Sequence, residues 1–450
     1  MSETFDLVII GGGPGGHAAA EHAAGNGARV AIIEKNLWGG TCTHRGCIPT
    51  KALLTCSRQY ADLKKGKRMG ITTGKTSFDF SLIKRHQQQA VNISALGVQR
   101  SLKEAGVELK VGEGRIISPH EIQFNSAEGE INSLKTKNII IAWGSEPLLL
   151  PGVKYSERIL TSDGLLALEK LPETIAIVGG SAIGLEFATF MAELGVRVTL
   201  IELMDQLLPS EDQEVAGFIK QNLTGMGIDV HTATKVGKFR ELPDRVLVTA
   251  SHQAQTFELA AEYTLVCTGR KPTLATDELD QLGIQYDHRG IFVDERQMTN
   301  VKGIYAIGDV TGGIMLAHCA SHQGKAAASH LYGDSSVTYR EEAVPFVVYT
   351  HPNVARVGLT EKQSKADGME TEVTRTQYGA NIMARVELCG NGFVKALFHN
   401  DILVGVTVVG EQACELIAPM SLAVANGMGK KELKKWMIPH PTLSEVLSLL

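Results

Sequence analysis

The chain reads as an α/β protein built on two parallel-sheet units, and three observations carry that reading. A short apolar run, Asp6 to Ile10, feeds a glycine-rich turn and a helix of small residues. The same grammar returns in the second third of the chain, from Thr174 onward. The composition, with 47 glycines, 14 prolines and 44% hydrophobic residues in 450, is that of a globular α/β protein. That length suits roughly three domains at ~150 residues each.

The first unit is a strand from Asp6 to Ile10, a turn from Gly11 to Gly16, a helix from His17 to Gly25, and a second strand from Arg29 to Ile33 ending at Glu34. In such a turn Gly11 makes the tight bend, Gly13 lets the backbone approach a pyrophosphate, and Gly16 permits close helix–strand packing. The helix N-terminus, next to Pro14, offers its N–H groups to the phosphates. Glu34, about 20 residues on, is placed to accept hydrogen bonds from an adenosine ribose.

The second unit repeats the order: strand Thr174 to Val178, turn Gly179 to Gly184, a helix through Leu194, and strand Arg197 to Ile201 ending at Glu202. Ser181 stands where the middle glycine belongs, and its side chain crowds the pyrophosphate approach. Glu202 would repel a 2′-phosphate, and Arg197 reads as a solvated strand-edge residue, so this unit favours NAD over NADP. A lone glycine fingerprint is weak evidence. Strand, turn, helix and acid agreeing twice in one chain point to two dinucleotide sites.

Between the two units lies the segment Gly39 to Lys51, with Cys42 and Cys47 separated by four residues. If it enters a helix at its N-terminal end, both sulfurs face one side and can close into a reducible disulfide, and the helix dipole then favours the thiolate. The alternative is two ordinary buried thiols. The adjoining fingerprint and a later His–Glu pair favour a catalytic dithiol. Further on, Gly303 to Val310 is an apolar strand with Asp309 near its C-terminal end, the usual ligand position in such sheets, here suited to a polyol. Thr268 to Pro272 reads as a strand end and loop closing the second unit, with Arg270 either a cofactor contact or a surface charge.

Several function classes are excluded. A formal net charge of −5 argues against a general nucleic-acid binder and offers no polybasic membrane patch. No apolar run is long enough to span a bilayer, and the N-terminus runs straight into a buried strand, so no secretory signal is expected. Seven cysteines with one close pair are not a secreted disulfide scaffold, and a cytoplasmic setting fits best. No metal-ligand cluster is expected.

These residues resemble the class I pyridine nucleotide-disulfide oxidoreductases, and within them the dihydrolipoamide dehydrogenases. The resemblance is carried by GGGPGG with Glu34, GGTCxxxGCIPTK, GGSAIGLE, GIYAIGDV, MLAH at Met315 to His318, THPNVARVGLT at Thr350 to Thr360, and HPTLSE at His440 to Glu445, nearly the whole chain. It implies two Rossmann-like dinucleotide-binding domains, for FAD and NAD, plus a C-terminal α+β dimerisation domain. The implied boundaries are 1–147 for FAD, 148–270 for NAD, 271–340 for a central segment completing the FAD domain, and 341–450 for dimerisation.

The resemblance also implies roles. A reduced substrate dithiol attacks the Cys42–Cys47 disulfide at Cys42, and Cys47 becomes the thiolate facing the flavin. His440 is the base, oriented by Glu445, and acts in the other subunit of a homodimer. Lys51 and Glu186 form an ion pair beside the flavin. Gly40, Thr41, Gly114, Gly144, Asp309 and Ala317 join Gly11, Gly13, Pro14, Gly16 and Glu34 around the cofactors, with Gly179, Ser181, Gly184, Glu202, Gly269 and Arg270 in the second unit. His17, His318 and Cys319 are left as packing or backbone contributors. The implied activity is oxidation of a protein-bound dihydrolipoyl dithiol with reduction of NAD⁺. The partner is a lipoylated carrier of a 2-oxoacid dehydrogenase, glycine-cleavage or related system, with no nucleic acid and no membrane.

Three departures bear on the substrate: the basic, bulky pair His44 and Arg45 between the cysteines, Trp143 in place of the family's threonine, expected to repack the junction of the FAD and NAD domains, and an end five residues after Glu445, expected either to open the site entrance or to change partner docking. A glutathione- or mercuric-reductase-like NAD(P)H-dependent enzyme is the alternative. The acidic or neutral residues after Glu202 and the lack of a C-terminal cysteine pair disfavour it. A soluble transhydrogenase would lack one of the two cysteines. A lipoyl-docking flavoprotein scaffold would not need both His440 and Glu445.

Overall fold

The computed structural model describes residues 4–35, 37–253, 255–333 and 337–449, without the side chains of Lys64, Lys65 and Leu449. The chain divides into two compact units. One comprises 1–52, 81–148 and 269–341, and the other 53–80, 149–268 and 342–450.

The first unit is organised by a parallel sheet with strand order Glu108–Ser118, Val30–Glu34, Phe5–Ile10, Ile131–Ile141, Ile304–Ala306. Phe5–Ile10 sits at the centre, and its alternate residues feed two cores. Phe5, Val8 and Ile10 join Ala31, Ile33, Ile139 and Ile141 on one face, while Leu7 and Ile9 join Val30, Ile32 and Ile140 on the other. A strand buried on both faces needs such a near-continuous apolar run. Strand Glu121–Ser126 pairs antiparallel with the extensions of Glu108–Ser118 and Ile131–Ile141. Helices Pro14–Gly25 and Ala317–Leu331 pack on each other through small residues: a Cβ on Gly324 would lie 2.4 Å from the Gly15 carbonyl. Trp143, half-buried, packs against the Ile139-side core of this unit.

The second unit holds two sheets with different grammar. The parallel one runs Asp229–His231, Arg197–Ile201, Thr174–Val178, Tyr263–Val266, Ile159–Leu160. An antiparallel trio, Thr234–Glu241, Val246–His252 and Gln255–Ala261, adds a further layer. The other five-stranded sheet is antiparallel, ordered Phe346–Val348, Asn353–Gly358, Ile402–Gly410, Phe393–His399, Glu372–Gln377. Helix Ala413–Ala425 covers it and supplies Leu416, Ile417 and Met420 to its core. The α/β class with a C-terminal α+β part is therefore present as expected. Among the described residues no helix is long and apolar enough to cross a membrane.

Candidate active site

The two glycine turns are built alike, down to their distances. A Cβ on Gly16 would lie 1.9 Å from the Gly11 carbonyl oxygen, and one on Gly184 would lie 1.9 Å from that of Gly179. These glycines let helix and strand touch, and no larger residue fits. Gly11 and Gly179 sit at φ +118° and +121°, in the region that favours glycine. The acids close the turns: Gly12 N–H donates to Glu34 Oε2 at 2.7 Å, and Gly180 N–H to Glu202 Oε2 at 2.5 Å. Glu202 Oε1 also accepts the Met204 N–H at 2.8 Å. Each carboxylate thus fixes the loop whose neighbouring groups would carry a nucleotide.

The middle position behaves differently. A Cβ on Gly13 would meet nothing within 4 Å. Space there explains how the corresponding Ser181 fits: it stands at the N-terminal boundary of helix Ala182–Glu193 at an ordinary φ of −94°, exposed and without a capping hydrogen bond from its side chain. Its substitution for glycine carries no folding penalty. The open cradle at Gly13, in front of a helix whose first turn holds Pro14 and no acid, fits the pyrophosphate of FAD.

The dithiol segment is anchored to that cradle. Gly39 N–H donates to the Gly12 carbonyl at 2.9 Å, and a Cβ on Gly40 would stand 2.8 Å from Gly13 Cα. The chain then forms not one helix but two. Gly40–Arg45 is a short turn carrying Thr41 and Cys42, Gly46 interrupts it, and Cys47 opens a helix running to Lys65. Cys47 therefore occupies the positive end of a long dipole, with Lys51 one turn further. The Cys42 thiol is pushed far above a free cysteine by its hydrogen bond with Cys47, by burial and by charge on Cys47, against the pull of the Lys51 ammonium. His44, flagged for its bulk, is anchored within its own segment, its Nε2 lying 2.9 Å from the Trp38 carbonyl, while Arg45 is exposed.

The other predicted residues fall into three groups. Asp309 lies in the turn Gly308–Thr311 after strand Ile304–Ala306, where Ser145 donates to its Oδ2 at 2.5 Å. Arg270 belongs here rather than with the second nucleotide turn. Strand Arg270–Pro272 pairs with Ser145–Pro147, and the guanidinium donates to Ser145 Oγ at 2.7 Å and to the Ser145 carbonyl at 2.8 Å. The guanidinium also lies 4.0 Å from Asp309 Oδ2, so Arg270, Ser145 and Asp309 form one cluster. Gly144 and Gly269 flank this pairing at φ +74° and +138°, and Ala317 begins helix Ala317–Leu331. Gly114 has a packing reason: its Cβ would come within 2.9 Å of Ile33 Cδ1, which leaves only its main chain for a cofactor.

Glu186 is buried in helix Ala182–Glu193 and accepts the Tyr349 N–H at 3.1 Å. His440 Nδ1 lies 2.9 Å from Glu445 Oε1, while Glu445 Oε2 accepts the Thr442 N–H at 2.9 Å. The Thr442 N–H and His440 hold the Glu445 carboxyl below its ordinary range. The His440 ring is 66% exposed, presenting its Nε2 edge outward.

Sequence reasoning missed Ser145, and also Gln323, whose Oε1 accepts the Gly308 N–H at 2.7 Å. It assigned nothing to Ser57, Glu193 and His351, which the fold brings together. The position of Ser145 just past the C-terminal end of a buried strand was the one local signal available.

The family profile described as pyridine nucleotide-disulphide oxidoreductase matches residues 5–324, and the dimerisation domain of the same family matches 344–450. A dihydrolipoyl dehydrogenase of Chlamydia pneumoniae is 36% identical over 99% of this chain and 96% of its own. One from Bacillus subtilis is 36% identical over 99% and 97%. Among solved structures, LpdA of Mycobacterium tuberculosis aligns with TM-score 0.92 at 27% identity over 98% of each chain. The HOCl-induced flavoprotein disulfide reductase RclA of Escherichia coli, in a Cu(II) complex, aligns with 0.87 at 28% identity over 99% of each. Two nucleotide turns of one geometry, a dithiol anchored to the first, and these full-length likenesses have one meaning: the chain belongs to the pyridine nucleotide-disulphide oxidoreductase family, as an FAD- and NAD-dependent oxidoreductase of the dihydrolipoyl dehydrogenase type.

Proposed function

We propose that the protein oxidises a dihydrolipoyl dithiol borne on a lipoylated carrier protein and passes the electrons to NAD⁺, acting as a homodimer in the cytoplasm. The observation that carries this reading is the dithiol itself: Cys47 at the start of a long helix, Cys42 hydrogen-bonded to it, and Gly39 and Gly40 pinning both to the first nucleotide turn.

The chemistry starts from the oxidised pair. A substrate thiolate attacks Cys42 Sγ, the Cys42–Cys47 bond breaks, and Cys47 leaves as a thiolate at a helix N-terminus that stabilises it. The second substrate thiol then attacks the mixed disulfide, releasing a cyclic substrate disulfide and the Cys42 thiol. Two protons leave the substrate dithiol: the Cys42 thiol released in this step keeps one, and His440 takes the other. Glu445 fixes the His440 tautomer by binding Nδ1, which leaves Nε2 as the working nitrogen. Bound FAD supplies a two-electron acceptor for the Cys47 thiolate and a hydride for the nicotinamide. Gly11, Gly13, Gly16, Glu34 and Asp309 would hold it, Gly40, Thr41 and Ala317 would border it, and Lys51 and Glu186 would flank its reacting ring. Gly179, Ser181, Gly184 and Glu202 would hold NAD.

Steady-state reduction of NAD⁺ by free dihydrolipoamide, with NADP⁺ in parallel, tests this on the purified flavoprotein. Fast, NAD⁺-selective turnover is expected. Bound flavin with negligible turnover would overturn the lipoyl assignment and turn attention to Arg45 and a different disulfide.

A further inference from the structure

Glu193 closes the helix Ala182–Glu193, so its carboxylate lies at the negative end of that helix dipole and is only 8% exposed. Both of its oxygens are engaged. The Ser57 hydroxyl donates to Oε2 at 2.6 Å, and His351 Nδ1 lies 2.6 Å from Oε1. Ser57 is completely buried. Two turns earlier on the same helix, Glu186 accepts the Tyr349 N–H at 3.1 Å. Two acids on one helical face therefore hold the short segment 349–351, one through its main chain and one through a side chain.

Ser57 belongs to the helix that Cys47 opens, ten residues and about 15 Å further along the axis. The next residue, Arg58, pairs with Glu411. Burying an ion for stability alone is a poor device, because apolar residues of similar volume hold elements together as well. A forked carboxylate adds direction: it accepts from a hydroxyl on one helix and an imidazole on another segment at fixed angles.

We propose that Glu193 is a positioning residue for the redox dithiol. Through Ser57 it sets the direction of the helix whose first turn holds Cys47 and Lys51, and through its own helix and His351 it ties that setting to Glu186. This rests on the roles given above to Cys42 and Cys47.

The test uses the holoenzyme reduced with dithiothreitol and follows iodoacetamide alkylation of the Cys42–Cys47 pair in E193A, S57A and the double variant. Misplacement of a reacting group by about 1 Å costs up to 10²-fold, so each single variant is expected to alkylate roughly tenfold more slowly. The double variant should be no slower than the slower single, because both changes cut one connection. FAD content and the KM for NAD⁺ should stay near the parent values while kcat falls. Parent-like alkylation in the single variants, or effects that simply add, would overturn the proposal. Should E193A fail to hold FAD, S57A decides alone, since it removes one oxygen and leaves the Glu193–His351 pair. Alkylation needs no lipoyl substrate, so a wrong substrate assignment leaves this readout unmoved, and a wrong role for Glu193 leaves turnover with dihydrolipoamide standing.

Discussion

His440 combines a fixed tautomer with an open working edge. Glu445 holds Nδ1 at 2.9 Å, and the ring is 66% exposed. Replacing it by alanine removes the base but no packing, so H440A should slow dithiol oxidation by roughly 10²–10⁴-fold with flavin content unchanged. Near-normal turnover of H440A with dihydrolipoamide would take the base assignment away. Glu202 gives a second residue-scale expectation. Its oxygens accept the Gly180 and Met204 N–H groups, so E202R both removes the charge facing a 2′-phosphate and loosens the turn. Hydrogen bonds to a charged group are worth about 1.5–3 kcal/mol, which predicts a rise of roughly 10- to 10²-fold in the KM for NAD⁺ and a preference moved toward NADP⁺. An unchanged preference in initial-rate measurements would place the ribose elsewhere. Residues of this kind were legible in the sequence because fingerprint glycine and closing acid lie a fixed distance apart in one βαβ unit. The Arg270–Ser145 contact was not legible, because the two residues lie 125 positions apart.

At the scale of elements, the same division appears. Strand–turn–helix order followed from periodicity and glycines, whereas the break at Gly46, which makes Cys47 a helix start, had no signal beyond one glycine. The least legible element contact is ionic. Lys395, 1% exposed on strand Phe393–His399, donates to Asp212 at 2.5 Å and lies 2.7 Å from Glu214 and 3.5 Å from Glu361. It ties the start of helix Gln213–Gly225 to the antiparallel sheet. K395M removes the cation these carboxylates share, leaving Glu214 with Arg375 and Glu361 with Lys365. A loss of about 3 kcal/mol in denaturant unfolding is expected, the low end for breaking a buried pair because Glu214 and Glu361 keep solvent contact. The pH dependence follows from Asp212. Burial pushes its carboxyl up, but Lys395 and the N–H groups of Lys362 and Glu361 outweigh that and hold it below the ordinary range. A depressed carboxyl stabilises the fold above its unfolded pKa, about 3.9, and that contribution fades as pH falls through the folded value. The stability gap between parent and K395M should therefore be full at neutral pH and shrink below about pH 4. A gap that is constant with pH would remove Asp212 from the account.

For the whole molecule, the question is which dithiol His440 serves. An exposed base does poor chemistry in bulk water, and its surroundings point to a covering surface. The region matching the family's dimerisation domain leaves Ile382, Val386, Leu422 and Met437 exposed, Met437 at 91%. In a two-fold dimer one patch meets its own copy, so a residue projecting from it reaches the other chain. If His440 completes the partner chain's site, two inactive variants should rescue each other. In a mixed dimer of C42S and H440A, one site receives both defects and the other receives neither. Random reassembly of equal amounts makes about half of the dimers mixed, each with one intact site, so roughly a quarter of the parent activity should return. Co-expression with two different affinity tags, followed by tandem purification of the mixed dimer, raises the expectation to about half. If each chain instead uses its own His440, every site in every dimer carries one defect, and the mixture stays as inactive as its parents. The mixed dimer thus separates a base supplied by the partner from one supplied within the chain, with flavin content as the control that both variants remain folded.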